Sequence, residues 1–164
     1  NLQRCHPPAP PVDDFDRRIL GALVADAGIS YARLGEKVGL STTAVKDRID
    51  KLQAKGVLTH FSIDVAIRPV GYRVKAFIFV GIDKPEDCKR FEKVIRDIPN
   101  IQECHHVTGM FNYLLKVLAT DMEELERLLS DQLKIPGIVS RTETTIVFSS
   151  IKDSRYVDCL VEGE

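Results

Sequence analysis

Residues 39–56 read GLSTTAVKDRIDKLQAKG. Val45, Ile49 and Leu52 recur at i, i+4 and i+7, which places three apolar side chains on one stripe of a helix. Ser41 stands where a capping hydroxyl belongs, and Gly39 and Gly56 bracket the segment. At about 100° per residue, Thr42, Thr43, Lys46 and Asp50 point away from that stripe. Arg48, Lys51 and Lys55 fall towards one flank, and Asp47 lies between the outward set and the other flank. A helix that opens with hydroxyls and a lysine suits base edges in a major groove, while a basic flank suits phosphate.

The chain on either side extends this pattern. From Asp13 onwards, Phe15, Ile19, Leu20, Leu23 and Val24 share one side of a helix, with Asp13 or Asp14 as its cap and Gly28 as its stop. Ser30 caps a second helix, in which Leu34 and Val38 share a face before Gly39 ends it. Only Leu40 separates Gly39 from Ser41, so the second and third helices meet in a tight turn. Two helices joined this way, with a first helix packed beneath, make a helix-turn-helix. After Gly56, apolar Phe61, Ile63, Val65 and Ile67 alternate with polar His60, Ser62 and Asp64. That is the period of a half-buried strand and would make the module a winged helix. RPVGY, residues 68–72, marks a boundary.

The second half changes character. KAFIFVGI, residues 75–82, is a short apolar run suited to a covered strand. Pro85 suits a helix start, and Cys88, Phe91, Ile95 and Ile98 follow at helical spacing. IQECHHVTG and NYLLKVLAT are two further strands around Gly109. Thr120 to Glu123 reads as a capping box before Met122, Leu125, Leu129 and Leu133. PGIVSRTETTIVFSSI supplies a last strand. Strand, helix, strand, strand, helix, strand is the ferredoxin-like order.

The expected class is therefore α+β. Residues 1–11, which hold four of the eight prolines, form a flexible arm; 12–67 form the winged helix-turn-helix and 68–74 a linker. Residues 75–151 form the ferredoxin-like domain, and 152–164 a tail with Val157, Leu160 and Val161 at helical spacing.

Composition narrows the chemistry. Net charge over 164 residues is −1, with no basic excess advertising nucleic acid. Within residues 12–67 eight Lys and Arg face eight Asp and Glu, four of those acids in or just after the first helix. A neutral module with one basic face still binds DNA, though weakly without sequence contacts. Cys5, Cys88, Cys104 and Cys159 are too scattered for a zinc site or a disulfide framework; reduced thiols in a cytoplasm are expected. No run reaches the roughly 20 apolar residues of a membrane span. Neither phosphate-loop nor dinucleotide-loop glycine pattern occurs, and no Ser, Cys, His or carboxylate stands in a catalytic motif. On a strand, Cys104 and His106 face one way and His105 the other, so this Cys-His-His run cannot converge on one metal ion.

DRRIL, LGEKVGLSTTAVKDRIDKLQAKGVL, ECHHVTGMFNYLLKV and IPGI, in that order, resemble the leucine-responsive and AsnC (feast/famine) transcription regulators from about Val12 to Ile151. The resemblance implies a winged-helix DNA-binding module followed by a ferredoxin-like module that dimerises, often assembles into octamers, and senses a small amino acid. It assigns the recognition helix to Ser41–Ala54, with Ser41 as cap, Arg48 on phosphate, and Thr42, Thr43, Lys46 and Asp47 as groove readers. Lys51, four residues beyond Asp47, is placed to pair with it. The effector loop implied by the family is Thr108, Gly109, Met110, Phe111 and Asn112, where Gly109 lets backbone N–H groups approach a carboxylate. The family often carries an aspartate where this chain has Asn112, and an amide offers an ammonium only a neutral acceptor.

The partners so implied are double-stranded DNA, a free amino acid and further copies of the chain, with no metal and no resident cofactor. Two other readings stand beside this one. Sirohaem decarboxylases look similar and are enzymes, a reading that needs His105 or His106 to face a large cavity. An amino-acid-sensing oligomer that has lost DNA is compatible with the neutral N-terminal half.

Overall fold

The computed structural model describes residues 12–135 and 137–153, and the chain divides into two compact units with the boundary between Asp64 and Val65. The expectations for residues 1–11 and for most of the C-terminal tail lie outside the described residues.

In the first unit α1 spans Asp14–Ala25, α2 Tyr31–Val38 and α3 Thr42–Ala54. Each start is capped by the side chain expected of its sequence. Asp13 accepts from the Asp16 N–H at 2.8 Å, Ser30 from Arg33 at 3.3 Å and Ser41 from Ala44 at 3.2 Å. Such caps contribute about 1 kcal/mol each by satisfying an otherwise orphaned donor. Gly39 ends α2 in the left-handed region, at φ 78°. The three faces converge on Ile19, Leu23, Leu34, Val38, Val45, Ile49 and Leu52, all buried.

The turn has a requirement that periodicity does not show. Gly35 lies inside α2, and its carbonyl accepts both the Gly39 and Leu40 N–H groups. A Cβ at position 35 would stand 2.5 Å from the Leu40 carbonyl oxygen. The close approach of α2 to the turn therefore depends on the missing side chain.

The strand expected after α3 is corrected. Val57 and Leu58 tie back to the Leu52 carbonyl, but residues 59–66 pair with no backbone among the described residues. Phe61, Ile63 and Val65 are 45%, 80% and 53% exposed. The alternation is present, but a strand needs a second strand to take its hydrogen bonds, and the described residues supply none here. Among the described residues, the first unit is thus a helix-turn-helix followed by a segment without regular secondary structure rather than by a paired wing strand.

In the second unit the order is β1 Val74–Gly81, a 3₁₀ turn Pro85–Asp87, α4 Cys88–Ile95, β2 Ile101–His106, β3 Tyr113–Ala119, α5 Met122–Arg127 and β4 Arg141–Ile146. The sheet runs β2-β3-β1-β4 with every neighbouring pair antiparallel, the ferredoxin-like arrangement. Among the described residues, helices cover one face only. Ala76, Ile78, Val80, Tyr113, Leu115 and Val117 point into the core against Phe91, Ile95, Leu125 and Leu133. Phe77, Phe79, Leu114, Lys75 and Lys116 lie on the opposite face, most of them half-buried.

Two local expectations shift. The cap of α5 is Asp121, which accepts from the Glu124 N–H at 2.8 Å while Glu124 accepts from Thr120 N at 2.6 Å, so the reciprocal pair sits one residue later than expected. The helix then widens into a π turn over Leu128–Leu133. Leu128 is buried three residues after Leu125 at ordinary helical spacing, and the wider winding then brings Leu133, five residues on, to the same core, whereas Met122, expected to point inward, is exposed.

Candidate nucleic-acid interface and effector loop

The outward surface of α3 is built as its sequence implies. Thr42, Thr43, Lys46, Asp47, Asp50 and Lys51 are exposed while Val45, Ile49 and Leu52 anchor the helix. Lys46, Asp47, Asp50, Lys51 and Lys55 enter no ion pair among the described residues, so the expected Asp47–Lys51 pair does not form. Polar groups without intramolecular partners are available to an external one.

Arg48 is different. Its guanidinium donates to Asp13 at 2.6 Å and to Asp16 at 2.7 Å, and it lies 5.3 Å from the centre of the Phe15 ring. The Asp16 carboxylate is almost buried, so this bond ties the start of α1 to the middle of α3. The Asp16 N–H and then the Arg48 guanidinium hold the Asp13 carboxyl below its ordinary value. Arg48 is therefore a strut of the module rather than a cation projecting beside Lys51. Spacing within α3 could not reveal this, because the partners come from a helix more than thirty residues earlier.

At the other expected site, residues 107–112 connect β2 to β3. Gly109 has φ 119°, a conformation that favours glycine. The Val107 N–H donates to the Asn112 carbonyl and the Asn112 N–H to the Val80 carbonyl, both at 2.9 Å. The Asn112 side-chain carbonyl accepts from the Ile82 N–H at 2.7 Å. Asn112 thus pins the loop to the end of β1, a duty that an aspartate could also perform. Met110 is 75% exposed, and the Phe111 ring packs at 5.5 Å on Phe79. Thr108 is exposed at the tip.

Arg141, at the start of β4, was not among the expected residues. It crosses to the loop, donates to the Met110 carbonyl, and places its guanidinium 4.9 Å from the centre of the Phe111 ring. Its partners belong to the loop between β2 and β3, and nothing in its own segment signals them.

The histidines are engaged elsewhere. His106 stacks on Tyr113 with ring centres 5.0 Å apart, and His105 meets Glu103 at 3.1 Å on the other face of the sheet. His105 first, and Lys116 next, hold the Glu103 carboxyl below its usual range. Tyr113 donates to Glu92 at 2.8 Å, and burial is the leading cause that pushes its phenol up. Burial also raises the Cys104 thiol. Among the described residues no group of three His, Cys, Asp or Glu is placed to share a metal ion, and no helix is long and apolar enough to cross a membrane.

A capped three-helix module with an uncommitted polar recognition surface, followed by an open-faced ferredoxin-like sheet, defines a helix-turn-helix regulator joined to an effector-type domain. The AsnC-type helix-turn-helix domain model matches residues 12–53, and the Lrp/AsnC ligand binding domain model matches residues 75–157. The chain belongs to the Lrp/AsnC family of transcriptional regulators.

It is 32% identical to the proline dehydrogenase transcriptional activator of Rhizobium radiobacter over 145 residues, which cover 87% of this chain and 93% of that one. It is 31% identical to the leucine-responsive regulatory protein of Escherichia coli over 150 residues, 90% and 91% of the two chains. The solved structure of a Neisseria meningitidis transcriptional regulator in complex with L-Met superimposes with a TM-score of 0.84 at 25% identity, covering 90% of this chain and 96% of that one.

Proposed function

We propose that the chain binds specific double-stranded DNA through α3 and that its second unit senses a free amino acid, the two acting together in a cytoplasmic homo-oligomer. The observation that carries this reading is the exposed, unpaired set on α3: Thr42, Thr43, Lys46, Asp47 and Lys51. Hydroxyls and a lysine at the N-terminal turn reach base edges, and Lys51 reaches phosphate. Asp47, free of Lys51, is available to accept from cytosine N4. Ser41 shapes the start of the helix through its cap.

The second unit supports the sensing role. Its loop presents Thr108 and Gly109 beside the apolar Met110 and Phe111, and the similar Neisseria regulator carries L-Met. The half-buried Phe77, Phe79 and Leu114, on the sheet face that no described helix covers, support self-association. A dimer compensates for the neutral charge of each module, because linked readers multiply weak contacts through effective concentration. The relatives are named as transcriptional regulators, and no catalytic step is proposed.

Fluorescence anisotropy on DNA from upstream of its own gene tests the reading. Saturable binding that exceeds a scrambled duplex, weakens with salt, and shifts with one of the twenty amino acids is the expected result. Equal binding to both duplexes at every salt concentration refutes sequence recognition.

A further inference from the structure

The neighbourhood of Arg141 goes beyond loop packing. Its stem lies in a notch over Gly81, its Cα partner on β1; a Cβ at position 81 would stand 2.6 Å from the Arg141 Cγ and 2.8 Å from its Nε. The guanidinium is laid against Phe111, which is itself braced on Phe79. Glycine gap and aromatic platform together hold a long flexible side chain in one place, so little rotamer entropy remains to be lost on binding.

Against this preparation, its partner is slight. Arg141 donates to the neutral carbonyl of Met110 and enters no ion pair among the described residues, although Glu143 lies on the same face of the same strand. A guanidinium carries five N–H donors in a fork that fits a carboxylate in bidentate fashion. Here most of the fork is unspent. The one acceptor it uses belongs to the loop that carries Gly109 and the exposed Met110 side chain.

We propose that Arg141 is the carboxylate receptor of the effector site and that the Met110 carbonyl holds its place in the unliganded chain. This rests on the amino-acid-sensing reading above. An arriving α-carboxylate takes the guanidinium, because it brings the opposite charge and accepts two parallel N–H bonds from the fork, whereas the Met110 carbonyl brings no countercharge. The Met110 carbonyl is then released, and residues 108–111 are free to close on the ligand side chain. The ligand class is a small α-amino acid with a free carboxylate; esters and amides of the same compound are discriminated against. Arg141 thereby couples recognition of the carboxylate to the shape of the loop.

The test is isothermal titration of the full-length chain with the twenty L-amino acids, then with the carboxamide of whichever binds tightest. The wild-type chain is expected to prefer the acid over its amide by roughly 10- to 100-fold, the range of one charged hydrogen-bonded contact. Arg141→Gln is expected to weaken the acid by about that factor and to leave the amide unchanged, so the preference collapses. A merely structural role lowers both affinities together.

If Arg141→Gln stays folded and keeps the acid-over-amide preference, the receptor proposal is wrong while amino-acid sensing stands. If the wild-type chain binds none of the twenty, the sensing reading fails and the proposal falls with it. Gly81→Ala supplies a second route should Arg141→Gln misfold, because it displaces the arginine from its notch without removing the charge. The same collapse is expected there, and an unaltered preference overturns the proposal.

Discussion

Replacing Arg48 separates two roles that a single helix sequence allows. As a phosphate contact it would contribute to DNA affinity and to its salt dependence. As a strut it contributes to the stability of the module. In Arg48→Gln the nearly buried Asp16 carboxylate keeps only a long 3.4 Å bond from the Asp13 N–H.

A hydrogen bond to a charged group contributes about 1.5–3 kcal/mol, and removing one partner leaves the desolvation cost of the other. The bond to Asp13, whose side chain is half exposed, adds little because water screens it. The expected loss is therefore about 2 kcal/mol, carried mostly by Asp16. For a domain this small that corresponds to a fall in melting temperature of roughly 8–16 °C.

The assay pairs thermal unfolding with anisotropy across a salt series. Losing one phosphate contact lowers the log–log salt slope by about 0.9, and this is expected for Lys51→Ala with no change in melting temperature. Arg48→Gln is expected to do the reverse, measured at a temperature where it remains folded. An unchanged melting temperature with a slope reduced by about 0.9 would show that the bonds to Asp13 and Asp16 do not persist in solution.

The pH dependence has a definite sign. The Asp13 carboxyl is lowered in the folded chain, so its contribution is complete above the ordinary carboxylate value of 3.8 and disappears as pH falls through the folded value. Since the Asp16 N–H is the larger cause and Arg48 the second, acid unfolding of Arg48→Gln is expected to show a shallower dependence, not a vanished one.

Gly35→Ala drives a methyl group towards the Leu40 carbonyl oxygen and is expected to cost about 1–3 kcal/mol, with DNA affinity lost in step; wild-type unfolding behaviour would mean that α2 and the turn separate easily. Asn112→Ala leaves the Ile82 N–H without its acceptor and should destabilise the second unit by about 1–3 kcal/mol, whereas Asn112→Asp keeps an oxygen there. Equal chemical denaturation midpoints for these two variants would count against the pin. Ser41→Ala removes the cap of α3 and is expected to cost about 1 kcal/mol, visible as reduced protection of the Ala44 amide in hydrogen exchange.

The local devices of this chain were legible from its sequence because they act over three or four residues. Asp13, Ser30 and Ser41 cap, Gly39 reverses, and the apolar stripes of α1, α2 and α3 repeat at the helical period. The alternation and order of elements in the second half likewise implied the β2-β3-β1-β4 sheet. Sequence alone also placed Cys104 and His106 opposite His105, since alternation along a strand is a local rule.

What failed to be legible depends on partners distant in the chain. The alternation at Phe61, Ile63 and Val65 described a strand, but among the described residues no second strand accepts its hydrogen bonds. Met122 shared the helical stripe of Leu125 yet is exposed, while Leu128 is buried in the core. Arg48 looked like its neighbour Lys51 until Asp13 and Asp16 met it across the module, and Arg141 looked like any strand cation until Gly81 and Phe111 received it. A helical or strand period specifies which way a side chain points. Only the packed fold decides which charge, ring or carbonyl waits there, and therefore which polar residues remain free to meet DNA or an effector.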